Sequence, residues 1–133
     1  MAIKFKNILV FAVIACAMSC QKKDNTPVDT TKVSVLFTSL TYGQVFHTGD
    51  TIPLNMDVSY NAEMVGIGVQ VTDSATDSLL FEDDRDIHTD HFQFQSEWVN
   101  DLSYSATLQV KVFVFLANNT AKPAERVIYI KSE

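Results

Sequence analysis

Cysteine is confined to Cys16 and Cys20. A disulfide, a thiolate metal site and a cysteine nucleophile are therefore excluded from everything after Cys20. Glycine is scarce, four residues in 133, and neither a glycine-rich phosphate loop nor a nucleophile elbow is present. Basic residues are outnumbered, 10 Lys and Arg against 16 Asp and Glu, for a formal net charge of −6. Such a chain has no electrostatic footprint for the phosphates of DNA or RNA. No apolar run reaches the ~18 residues of a permanent membrane-spanning helix. No Ser-His-Asp pattern occurs, and no pair of carboxylates can be placed across a cleft. The expectation is a protein that is not an enzyme and carries no cofactor.

What is present begins with an address. Lys4 and Lys6 precede an apolar run over residues 8–18, and Ser19 leads into Cys20. A positive stretch, a short apolar stretch and a small-residue cleavage site make a secretory signal. A cysteine directly after the small residue resembles a lipoprotein signal, in which the thiol is acylated. Val13-Ile14-Ala15-Cys16 fits the usual lipobox better than Ala17-Met18-Ser19-Cys20. Cleavage before Cys16, however, would cut the apolar run short, whereas cleavage before Cys20 uses all of it. Cys20 is the preferred lipidation site and Cys16 the alternative. Residues 1–19 are then the signal peptide. Without Lys4 and Lys6, eight basic residues face sixteen acidic ones, a mature net charge of −8. The lipid is thus the expected membrane contact, since anionic headgroups would repel the rest.

Residues 20–32 read as a lipid-anchored flexible tether, with polar turn formers, one proline and Val28 as the only aliphatic residue. From residue 33 to 133 the period is two. Ile52, Leu54, Met56, Val58 and Tyr60 alternate with polar residues in one strand, and Val65, Ile67, Val69 and Val71 follow on one face of the next. Residues 78–81 predict a short edge strand, and residues 92–98, where Phe92 and Phe94 alternate with Gln93 and Gln95, a further strand. The longest strand is expected over 104–116, with Ala106, Leu108, Val110, Val112 and Val114 inward. Residues 117–123 read as a polar hairpin loop, and 126–131 as the closing strand. Tyr42-Gly43 and Thr48-Gly49-Asp50 are turn signals. About seven short strands separated by turns predict an all-β, immunoglobulin-like β-sandwich.

Two resemblances sharpen that picture. Residues 100–106 resemble the tyrosine corner of immunoglobulin-like domains, with Tyr104 as its tyrosine. The Ser-Cys junction followed by Gln21-Lys22-Lys23-Asp24 resembles surface lipoproteins of the Bacteroidota. Across residues 33–131 the order of strands and turns, with Gly49-Asp50 and the His-rich stretch before Phe92, is similar to their small immunoglobulin-like lipoproteins. The resemblance implies a fold and a cell-envelope, outer-membrane location, in the periplasmic or the outer-surface leaflet. It implies no catalytic residues.

Two surfaces stand out. Nine acidic residues and a single basic one, Arg85, lie between Asp73 and Asp101. Residues 82–91, read as a loop, contain Asp84, Asp86, His88, Asp90 and His91, whose oxygen and imidazole groups are candidate ligands for a divalent metal. The competing reading is a solvated stretch whose charges keep an edge strand soluble. EF-hand spacing fails, because His88 stands where Asp or Asn is needed and the glycine is missing. His47 belongs to a surface turn. Phe113 and Phe115 point away from Val110, Val112 and Val114 and form a candidate partner surface with Trp98, which at its strand end either caps the core or sits exposed for a sugar. The preferred explanation of the two phenylalanines is structural: rings lying over Gly66 and Gly68 of the neighbouring strand. The function expected is a lipid-anchored binding or accessory module at the cell envelope, with a protein or glycan partner. Divalent-metal binding through residues 82–91 is the alternative, and a structural spacer in a surface complex the second.

Overall fold

The structure, a computed structural model, describes residues 32–133, without the side chains of residues 119–121. The expected signal peptide, Cys16, Cys20 and the tether up to Thr31 lie outside the described residues. Eight strands follow: β1 (Ser34–Phe37), β2 (Val45–Phe46), β3 (Thr51–Pro53), β4 (Met56–Asp73), β5 (Leu79–Phe94), β6 (Glu97–Val99), β7 (Ala106–Leu116) and β8 (Asn119–Ser132). There is no α-helix among the described residues.

The architecture follows from the length of β4. Eighteen residues of straight strand would span about 60 Å, far more than a domain of ~100 residues can accommodate. Yet Met56, Val58, Ile67, Val69 and Val71 all lie buried in one core cluster. The strand must turn, and it does so between Ser59 and Met64, where its register with β5 shifts and Asn61, Ala62 and Glu63 are exposed. β4 and β5 therefore run together from one layer of a sandwich into the other.

In the smaller layer the first part of β4 lies between β1 and the last part of β5. The antiparallel register there, Met56 opposite Phe94 and Ser59 opposite His91, continues without slip into β3 and β6, where Ile52 opposes Trp98. Leu54 N–H donates to the Ser96 carbonyl at 2.8 Å across the gap. The expected strand from Ile52 to Tyr60 is thus one ladder with a local break. Ser39 fills that break: its hydroxyl donates to the Pro53 carbonyl at 2.7 Å and accepts from Asn55 N–H at 2.9 Å.

In the larger layer the order is β5, β4, β7, β8, β2, antiparallel except for the parallel pairing of β2 with β8. Val110, Val112 and Val114 of β7 are buried as expected, and Trp98, 9 % exposed, closes the core from the smaller layer. These two layers around one apolar core are an immunoglobulin-like β-sandwich.

Several expectations are corrected. Residues 82–91 are strand, not loop, because a long partner in β4 holds the backbone in a ladder despite the low strand preference of Asp and Glu. The longest strand is β4, which continues through the turn between the layers although its register with β5 shifts there. β8 begins at Asn119, so the hairpin loop contracts to a turn at Ala117 and Asn118. Pro123 is tolerated inside β8 because β2 reaches only Lys131 and Ser132 on its far side. The register shift at Met64 buries that residue and leaves Val65 half-buried. Tyr104 precedes β7 and is half exposed; its hydroxyl bonds the Asp73 carboxylate at 3.1 Å, not upstream backbone, so the tyrosine corner is not formed.

Candidate functional site

The registers fix what lies on the outer face of the larger layer. Three rows cross it. Glu82, Gln70 and Lys111 form the first; Asp84, Gly68, Phe113 and Glu125 the second; Asp86, Gly66 and Phe115 the third. Because side chains alternate across a strand, all of these project away from the core. With glycine at both central positions, β4 becomes the floor of a groove. Its walls are Asp84, Arg85 and Asp86 on β5, and Phe113 and Phe115 on β7, with Gln70 and Pro123 also lining a space of about 530 Å³.

Each glycine is covered differently. A methyl at Gly66 would lie 3.4 Å from the Phe115 ring, so Phe115 packs over bare backbone as expected. Gly68 is covered by the Asp84 carboxylate and not by Phe113; a methyl there would collide with it. The expected pairing of Phe113 with Gly68 holds in register only. Phe113 instead presents its ring to the Lys111 ammonium, 5.8 Å from the ring centroid.

Electrostatics separate the two sides of β5. Burial pushes the Asp84 carboxyl up from its ordinary value, helped by the neighbouring charges of Glu82 and Asp83. Gln70 donates to Glu82 at 3.1 Å. On the inner side Asp83 accepts from the Ser96 hydroxyl at 2.8 Å and from Arg85 at 3.1 Å. The Ser96 bond chiefly, with Arg85, holds the Asp83 carboxyl below its usual range against the opposing effect of burial. Arg85 also donates to the Gln95 carbonyl and lies 4.5 Å over the Phe94 ring. Asp83 and Arg85 thus clasp the two layers at their open edge. Their role was not read from the sequence, although the alternation of Phe81, Asp83, Arg85 and Ile87 with the outward acids carries that signal.

The candidate metal ligands are not brought together. Side chains two apart on a strand are separated by about 7 Å, and the histidines turn to different carboxylates of β4. His88 Nδ1 is 3.1 Å from Glu63, and His91 Nε2 is 3.5 Å from Asp57, too long for a hydrogen bond. Asp90 is exposed. Among the described residues no group of three or more His, Cys, Asp or Glu side chains converges. His47 is far off, its Nδ1 3.3 Å from the Glu133 carbonyl. Trp98 belongs to the core, which removes it from the partner surface proposed with Phe113 and Phe115.

No protein-family model matches the chain, and no curated protein matches it. Among solved structures it is similar to the ASH / PapD-like domain of human CEP192 (PapD-like domain 7), with a TM-score of 0.41 and 8 % identity over 77 % of this chain and 84 % of that one.

Proposed function

We propose that this protein is a non-enzymatic binding module, anchored by a lipid on Cys20 at the bacterial cell envelope, which holds a partner in the groove over Gly66 and Gly68. The observation that carries the reading is the groove itself. A sheet face needs no glycine pair and no two adjacent phenylalanines to be soluble, and single exposed apolar residues require no explanation. Here two half-buried rings, bare backbone and a wall of carboxylates stand together on one open face. The lipid anchor is supported by the signal-like first twenty residues and the acidic domain that follows them.

The test is made in cells. A photo-crosslinking residue in place of Phe115 is expected to give a discrete adduct in the membrane fraction, while the same residue at the exposed Leu36 on β1 gives none. Cys20→Ser should release the protein from that fraction. Equal adducts from both positions would overturn the groove as the binding site, and membrane retention by Cys20→Ser the anchor.

A further inference from the structure

The groove has two chemically different walls, and together they select a class of occupant. We infer that it takes the basic side chains of an extended peptide segment, lysine ammonium or arginine guanidinium, with charge toward Asp84 and Asp86 and stem along Phe113 and Phe115. The inference rests on the groove reading above and names its ligand.

Four observations carry it. The carboxylate wall is aligned: Asp84 and Asp86 are both exposed on one side of β5, with no basic side chain bonded to either among the described contacts. Asp84 is held over the bare backbone of Gly68, where burial disfavours its charged form; a cation brought into the groove reverses that effect. The aromatic wall already seats a cation, since Lys111 lies over the face of Phe113. Finally, the two acids repeat at the ~7 Å interval at which alternate side chains of an extended peptide recur. A neutral sugar fits less well. Neither tryptophan nor tyrosine lines the groove, and Gln70 is its one neutral amide side chain. The acidic charge of the chain would also draw a basic segment in from a distance.

The full-length protein in nonionic detergent micelles is titrated calorimetrically with an acetylated, amidated Ser-Lys-Ser-Lys-Ser peptide at low salt. Two parallel titrations use the same peptide with Gln in place of Lys, and a neutral N-acetylglucosamine tetramer. Saturable binding is expected for the lysine peptide only, weakened by rising salt. The pairs Asp84→Asn/Asp86→Asn and Phe113→Leu/Phe115→Leu should each weaken it by about tenfold or more. The Leu pair keeps apolar bulk while removing the ring face, and thermal melts of both variants verify that the fold is intact. No saturable binding of the lysine peptide, or binding indifferent to both pairs, overturns the inference. Binding of the glycan alone, lost in the Leu pair, also overturns it and leaves the binding-module reading standing. A discrete cellular adduct at position 115 without lysine-peptide binding has the same meaning.

Discussion

Asp83 and Asp84 are neighbours in sequence, yet they occupy opposite faces of β5 and their environments act on them in opposite ways. Asp83 looks inward at the rim of the core, where Ser96 and Arg85 hydrogen-bond its charged form and lower its pKa. Asp84 looks outward over Gly68, where burial and the charges of Glu82 and Asp83 raise it. Burial raises both; what differs is whether a donor answers the charge. The inner face of this edge strand contributes to holding the layers together. The outer face answers Glu82 with the Gln70 amide but gives Asp84 no such donor, which is a cost to the fold and an asset to a binding surface.

The comparison can be broken most violently by putting an acid on the inner face with no clasp around it. Val112 is completely buried in β7. Val112→Asp should destabilise the domain by more than about 3 kcal/mol, read as loss of a cooperative melt near neutral pH. A variant melting within a few degrees of the parent would show that the facing of β7 is wrong.

A smaller break removes the donor and keeps the acid. Arg85→Ala takes away the Asp83 ion pair, the bond to the Gln95 carbonyl and the stacking on Phe94. A loss of about 1–2 kcal/mol is expected, measured by urea unfolding. An unchanged midpoint would mean that the clasp adds nothing to stability.

The subtlest test follows the two acids through pH. Asp83 has a lowered folded pKa, so its contribution is complete above the unfolded value near 3.8 and is lost as pH falls through the lower folded value. Asp84 has a raised one, so its contribution is present below 3.8 and is lost as pH rises through the higher folded value. Ser96→Ala should flatten the fall in melting temperature on the acid side, where Asp83 acts. Asp84→Asn should leave that limb intact and raise the melting temperature slightly at neutral pH. Identical pH profiles for the two variants would erase the distinction between the faces.

Much of this was legible in the residues. Strict alternation placed Ile52, Leu54, Met56 and Val58, and later Leu108, Val110, Val112 and Val114, on the core side, because a strand with one wet face must alternate. The turns at Gly43 and Gly49 have φ of 76° and 90°, which is why glycine stands there. Residues 82–91 were misread for an equally physical reason. Composition marks a charge run as loop, while strand formation there depends on β4, a partner that lies outside any local window. Period two was present across the run, with Phe81 and Ile87 on the parity opposite to Glu82, Asp84 and Asp86, but charge obscured it. Phe113, Phe115 and the two glycines were correctly placed on one face; the covering of Gly68 by Asp84 was not, because a strand read as loop supplies no cross-strand neighbour.

The parallel pairing of β2 with β8 also has a consequence for time. Lys131 N–H donates to the Gln44 carbonyl at 2.8 Å and Glu133 N–H to the Phe46 carbonyl at 2.9 Å, so nearly the whole described chain must be in hand before this edge of the larger layer can close. Contacts of such sequence separation are slow to form, and sheets dominated by them fold over milliseconds to seconds. Until β8 arrives, β2 has no partner and the far edge of β7 stays unpaired. A chain synthesised from its N-terminus is thereby kept from finishing its fold early.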